Sequence, residues 1–195
     1  MSISGFKGGT AKSTTAIHIA TYFSDIGNTL LIDGDPNLTA VAWANRGHLP
    51  FPVVTAQGSL KSLGGRDFVI FDTPARPNSD DLKEIIKGCD LLILPTTPDI
   101  VSILPMMDTI RAVGNATYKT VLAIVPPKPI KDGEQAQAEL KEAGYPVFDT
   151  MIRRSVAFTR AAVSGVTVRD LHDPRMASAW EDYKLLGDEI LEVLK

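Results

Sequence analysis

The chain has 195 residues, 44% of them apolar and 22% charged, a composition ordinary for a soluble globular protein and a length that suits one domain spanning 1–195. Twenty basic against 23 acidic residues leave a net charge of −3, which excludes an overall polybasic chain but not a local basic patch. The one cysteine, Cys89, excludes an intrachain disulfide and a thiolate metal cage, and it fits a reducing compartment such as the cytoplasm.

The first β-branched run, Ile3–Phe6, predicts a strand. Ala16, Ile19, Phe23 and Ile26 then recur at three- and four-residue steps, which predicts an amphipathic helix over residues 13–26. Further strands are expected at Thr29–Asp33, Pro52–Thr55 and Phe68–Asp72, followed by a helix over Asp81–Lys87 and a strand over Leu91–Pro95. The next helix, Ile100–Ala112, contains Pro105, which should kink or restart it. Thr120–Pro126 reads as a strand, Glu134–Ala143 as a helix, Val147–Ile152 as a seventh strand and Ala177–Leu194 as a final helix. The Pro- and Lys-rich stretch Pro126–Gly133 is the nearest thing to a flexible loop. Strands alternating with helices imply an α/β fold, a mostly parallel sheet with helices on both faces. No apolar run approaches the roughly 20 residues that span a bilayer. The first residues lack a basic segment followed by an apolar one, so no signal peptide is expected.

The most specific stretch is Gly5-Phe6-Lys7-Gly8-Gly9-Thr10-Ala11-Lys12-Ser13-Thr14-Thr15, which follows the first strand and opens a helix. A phosphate loop needs that placement, because glycines let backbone N–H groups approach anionic oxygens and the helix N-terminus adds partial positive charge. Lys12 would serve the β- and γ-phosphates and Ser13 a Mg²⁺ ion. The strict pattern Gly-x4-Gly-Lys-Ser/Thr is not met, since Phe6 and Ala11 occupy its glycine positions, and a second lysine, Lys7, stands five residues ahead of Lys12. Downstream, Asp33 and Asp35 end one apolar strand and Asp72 ends another. Strand C-terminal ends are where open α/β sheets bind ligands, and an acid there can hold Mg²⁺ through its waters. Each aspartate alone could instead be a helix cap or turn former, and Asp35 in particular could cap a helix starting near Leu38.

On these residues the sequence resembles the ParA/MinD family of deviant Walker A ATPases. The matches are Lys7–Thr14, Asp33-x-Asp35-Pro36, Asp72-Thr73-Pro74, and a late segment from Ile152-Arg153-Arg154-Ser155-Val156 to Gly165. The resemblance implies an ATP- and Mg²⁺-dependent ATPase that forms a nucleotide-sandwich homodimer. It implies that Lys7, Gly8, Gly9, Thr10, Ala11, Lys12, Ser13 and Thr14 bind ATP, with Lys12 serving its own subunit and Lys7 crossing to the partner's nucleotide. It further implies that Asp35 positions the attacking water, that Ser13, Asp33 and Asp72 hold Mg²⁺, and that adenine sits near Pro127 and Arg153. The chain departs from the family at Arg153, where Pro is frequent, and at Asn37, where Gln is frequent.

The first helix begins so early that no N-terminal operator-binding domain is expected, as in small ParA proteins. Residues 176–195 carry a net charge of −3, the wrong sign for a MinD-like anchor on anionic lipid, and their apolar positions Trp180, Tyr183, Leu186 and Ile190 should pack on the core. Residues 150–175 hold five arginines, at 153, 154, 160, 169 and 175, against two aspartates. Such a stretch on an acidic chain is either the footprint of phosphate-backbone binding or an ion-paired face. Arg154 and Arg160 are the DNA-binding candidates, with Arg154 alternatively serving the nucleotide pocket, and nothing offers base readout. The expected role is a positioning ATPase, cytoplasmic and nucleoid-associated, that distributes a carboxysome or plasmid over nonspecific DNA with a cargo adaptor of the ParB or McdB type and without a membrane. The alternatives are a metabolic P-loop enzyme of the dethiobiotin-synthetase type and a membrane-surface positioning ATPase.

Overall fold

The computed structural model describes every residue except Phe6, Arg76 and Asn78. Six strands form one sheet in the order β3-β2-β4-β1-β5-β6, with every pairing parallel. They are β1 (Ser2–Ile3), β2 (Thr29–Asp33), β3 (Val53–Thr55), β4 (Phe68–Asp72), β5 (Leu92–Thr96) and β6 (Tyr118–Leu122). The helices are α1 (Lys12–Ser24), α2 (Thr39–Ala44), α3 (Ser79–Lys87), α4 (Ile100–Val113), α5 (Asp132–Glu142), α6 (Val156–Ser164) and α7 (Ala177–Val193). Parallel neighbours cannot be joined by tight turns, so the crossovers lay helices on both faces. One face buries Ile17, Phe23, Leu31, Phe148, Tyr183 and Leu186 under α1, α6 and α7. The other buries Leu82, Leu94, Met106, Leu122 and Leu140 under α3, α4 and α5. Every residue of β2 and β5 is buried, as the near-continuous apolar runs predict.

Four expectations are corrected. The first strand is shorter than Ile3–Phe6: its ladder continues only as far as the Ser4 N–H donating to Ile93, and Phe6 lies outside the described residues. The seventh strand does not form, although residues 147–153 run beside β6 and its continuation through two isolated bridges, Val147 to Thr120 and Arg153 to Val125. The reason is local: the N–H groups of Asp149 and Thr150 turn away to the Glu189 carboxylate on α7, at 2.7 and 2.6 Å. Helix α1 is not a one-sided surface helix. It is buried nearly all round between the sheet and α7, and Ile26 lies beyond its end at 52% exposure. Pro105 does not restart α4, which runs unbroken from Ile100 to Val113. The carbonyl that proline leaves without an N–H partner belongs to Val101, an exposed residue where water can take its place. On α7, Tyr183, Leu186 and Ile190 are buried and Trp180 packs against them, as expected.

Candidate functional site

The loop after β1 ends at Ala11, whose backbone is left-handed (φ 65°, ψ 26°) and whose carbonyl accepts the first α1 bond, from the Thr15 N–H at 2.8 Å. Alanine has no side chain to cap with, so the first-turn N–H groups of Lys12, Ser13 and Thr14 face the loop without a side-chain acceptor. That is the arrangement an anion completes. Gly9 is also left-handed (φ 81°), and Gly8 and Gly9 have open space where side chains would stand. Lys12 is buried and donates to the Lys7 carbonyl at 3.0 Å. Burial lowers its pKa, against the opposing pull of Asp72 and Asp35. Lys7 points elsewhere: its Nζ donates to Ser102 Oγ at 2.7 Å and lies 3.8 Å from Asp99 Oδ1, at the start of α4. The two lysines therefore diverge from one loop, and only Lys12 is folded over it.

Strands β2 and β4 are paired with Asp33 opposite Asp72. Asp33 accepts from the Asp35 N–H at 3.1 Å and, through its other oxygen, from the Val41 N–H at 3.0 Å. The second bond caps α2 from a distance, because Leu38 at the helix start is left-handed and offers no side-chain acceptor. Asp35 is buried. Its Oδ1 accepts from the backbone and side-chain N–H groups of Asn37, both at 2.8 Å, and its Oδ2 from the Ala75 N–H at 3.2 Å. Asp72 differs from both. It is wholly buried and neither oxygen has a partner within hydrogen-bond distance, although the Ser13 hydroxyl is near enough to act on its pKa. Burial pushes that pKa up to about 7; Ser13 pulls it down, Asp33 adds to the rise, Lys12 opposes it and Asp35 adds again. A buried carboxylate without a partner beside a helix N-terminus and a buried lysine fits a divalent cation carried in with phosphates. Among the described residues no three His, Cys, Asp or Glu side chains converge as a metal cage.

Beside the loop lies a cavity of about 390 Å³. Gly9, Ala11 and Thr14 form one wall. The other comes from the far end of the chain: Ile152–Ser155, Phe158 and Thr159 of α6, and Tyr183 of α7. Pro127 does not line it; Ile124 does, from a left-handed backbone (φ 56°) that no sequence pattern announces for a β-branched residue. Arg153 lines the cavity, but its guanidinium is held by Asp182 at 2.6 and 2.7 Å. Arg154 also lines it, exposed, and among the described residues its side chain has no ion pair. The rest of the basic stretch is largely neutralised: Arg160 lies 3.6 Å and Arg175 2.8 Å from Asp173, and Arg169 lies 2.8 Å from Asp25. The sequence offers Tyr183 only as an apolar position of its last helix and gives Phe158 no signal, so nothing marks either as a cavity wall.

The model of the CobQ/CobB/MinD/ParA nucleotide binding domain matches residues 1–168. The maintenance of carboxysome distribution protein A of Gloeobacter kilaueensis is 31% identical over 194 residues, covering 94% of this chain and 90% of the relative. Among solved structures, the ATP complex of a McdA variant from Cyanothece superposes with a TM-score of 0.75 at 18% identity, covering 95% of each chain. A plasmid partition protein of Borrelia burgdorferi bound to AMPPNP superposes with a TM-score of 0.72 at 16% identity, covering 96% of this chain and 98% of that one. Both structures share the fold, and the sequence match extends through the phosphate loop and all three strand-end aspartates. The chain belongs to the CobQ/CobB/MinD/ParA family of nucleotide-binding domains and is an ATPase of its ParA/MinD group.

Proposed function

We propose that this ATPase, acting as one domain over residues 1–195, distributes carboxysomes by forming an ATP-sandwich homodimer on nonspecific nucleoid DNA. The observation that carries the cargo assignment is the 31% identity to the Gloeobacter carboxysome distribution protein over 94% of this chain. The fold does not separate cargos, since a plasmid partition protein shares it at nearly the same TM-score. Plasmid partition is therefore the second reading.

Lys12 withdraws from the Lys7 carbonyl to meet the β- and γ-phosphates, which also receive the free N–H groups of the first α1 turn. Ser13 and Asp72 hold Mg²⁺. Asp33, whose oxygens are already bonded to the backbone, stands behind them as fixed negative charge. The ion, when bound, neutralises charge that builds on the phosphates. Asp35, which ties the loop after β2 to the loop after β4, orients the attacking water. Lys7 exchanges Ser102 and Asp99 for the partner subunit's nucleotide. Arg154 serves the nucleotide cavity, and Arg160, only loosely paired with Asp173, is the better DNA contact. A cargo adaptor of the ParB or McdB type stimulates turnover. No described helix is long and apolar enough to cross a membrane, and the proposed location is the cytoplasmic nucleoid.

The test is imaging of carboxysomes in cells whose copy of this gene carries Lys12→Ala. Clustering is the expected result. Even spacing with an altered plasmid loss rate favours the second reading, and no change in either overturns the positioning role.

A further inference from the structure

The two walls of the nucleotide cavity come from opposite ends of the chain, and one side chain joins them from behind. His18 is wholly buried on α1. Its Nδ1 lies 2.7 Å from the carbonyl oxygen of Thr14, a residue of the phosphate wall. Its Nε2 accepts from the Val168 N–H at 3.2 Å, just after α6. A backbone N–H can only donate, so Nε2 is the bare nitrogen, and Nδ1 carries the proton and donates to Thr14. Burial keeps the ring neutral, lowering its pKa to about 4 against the Thr14 hydrogen bond and the Asp170 charge. The ring stacks on Tyr183 at 4.8 Å and 20°, and meets Phe158 edge-on at 5.4 Å, both residues of the far wall. Tyr183 in turn shares a 3.1 Å hydrogen bond with Thr15.

We infer that His18 is a positioning residue that sets the distance between the phosphate wall and the far wall, and so governs how the nucleoside part of ATP fits while leaving the grip on the triphosphate alone. The phosphate loop has its own supports, the Lys12 bond to Lys7 and the α1 start at Ala11, and neither passes through His18. A ring that merely filled the core would be replaced well by phenylalanine. Two hydrogen bonds to separate backbone segments need an imidazole. The inference rests on reading the cavity as the nucleoside seat.

The test measures binding of Mg²⁺-ATP and of Mg²⁺ with inorganic tripolyphosphate by calorimetry, with the full chain as wild type, His18→Phe and His18→Gln. Wild type should bind ATP more tightly than tripolyphosphate; equal affinities overturn the nucleoside seat and this inference with it. In His18→Phe, ATP affinity should fall about tenfold, with tripolyphosphate affinity held within about twofold. His18→Gln, which keeps an acceptor for Val168, should fall between, and it decides the matter on the same two ligands if the phenylalanine variant does not fold. Equal loss for both ligands, or loss for neither, overturns the positioning role and leaves the nucleoside seat standing.

Discussion

Replacing Asp35 by alanine sets two scales of effect against each other. Its carboxylate takes three N–H groups, two from Asn37 and one from Ala75, and so ties the loop after β2 to the loop after β4. Asn37 and Ala75 are both exposed, so the abandoned donors can turn to water and the net loss is modest. We expect destabilisation of about 1–2 kcal/mol, or roughly 2–8 °C in melting temperature for a chain of this length. If Asp35 also orients the attacking water, turnover should fall about 10²-fold or more, because a positioned proton acceptor is worth that much. ATP should remain bound, since Lys12, Ser13 and Asp72 are intact. Turnover at saturating Mg²⁺-ATP, a melting curve and ATP retained through gel filtration, all on one preparation, separate the roles. Asn37→Ala is the control, removing only the side-chain bond and leaving hydrolysis within about twofold. A variant that melts several degrees lower yet hydrolyses ATP normally per folded molecule refutes the mechanistic role and makes Asp35 a staple between loops.

Lys12→Ala should abolish measurable ATP binding by calorimetry, because it removes the buried lysine folded over the loop. Lys7→Ala should keep ATP affinity but lose ATP-dependent dimers in sedimentation with a non-hydrolysable analogue; retained dimers would place the crossing contact elsewhere. Arg160→Glu should weaken DNA binding and flatten its salt dependence by about one counterion, whereas Arg154→Glu should chiefly weaken ATP binding. Acid should act through His18. Its folded pKa of about 4 lies below the ordinary 6.5, so between those values the unfolded chain holds a proton that the folded chain refuses. Stability is therefore intact above about pH 6.5 and should fall by about 2 kcal/mol from pH 7 to pH 5 through this group, with Asp170 the nearby charge that tempers the effect. In urea denaturation, His18→Gln should lack that part of the slope.

Much of this site is written locally. Strand, glycines, lysine and helix follow one another between Ser2 and Ser24, so backbone sterics and the α1 N-terminus alone announce a phosphate loop. The three strand-end aspartates are equally plain, because a buried apolar run that stops at an acid places the acid at the sheet's edge. Which acid does what is not local. Asp33 became a helix cap because Leu38 could not, and Asp72 stayed unpartnered because its neighbours are the sheet interior and Ser13. The pairing of the arginine stretch is likewise not local: Asp25 and Asp182, which pair with Arg169 and Arg153, lie outside it. The far wall of the cavity depends on a left-handed isoleucine and on α6 and α7 folding back over α1, which periodicity does not report.

The central place of β1 sets when the site can come into being. Two residues pair on one side with β4, at Phe71, and on the other with β5, at Leu92, and the cavity closes only when Tyr183 reaches Thr15. Contacts so distant along the chain slow folding. On the ribosome, where about 5–20 residues emerge each second, the phosphate loop emerges well before α7 and becomes useful only with it. A nascent chain therefore has no nucleotide pocket to offer until α7 has left the exit tunnel. ATP cannot guide the early steps of folding; it can only draw the finished state downhill, in proportion to the logarithm of its concentration over its dissociation constant.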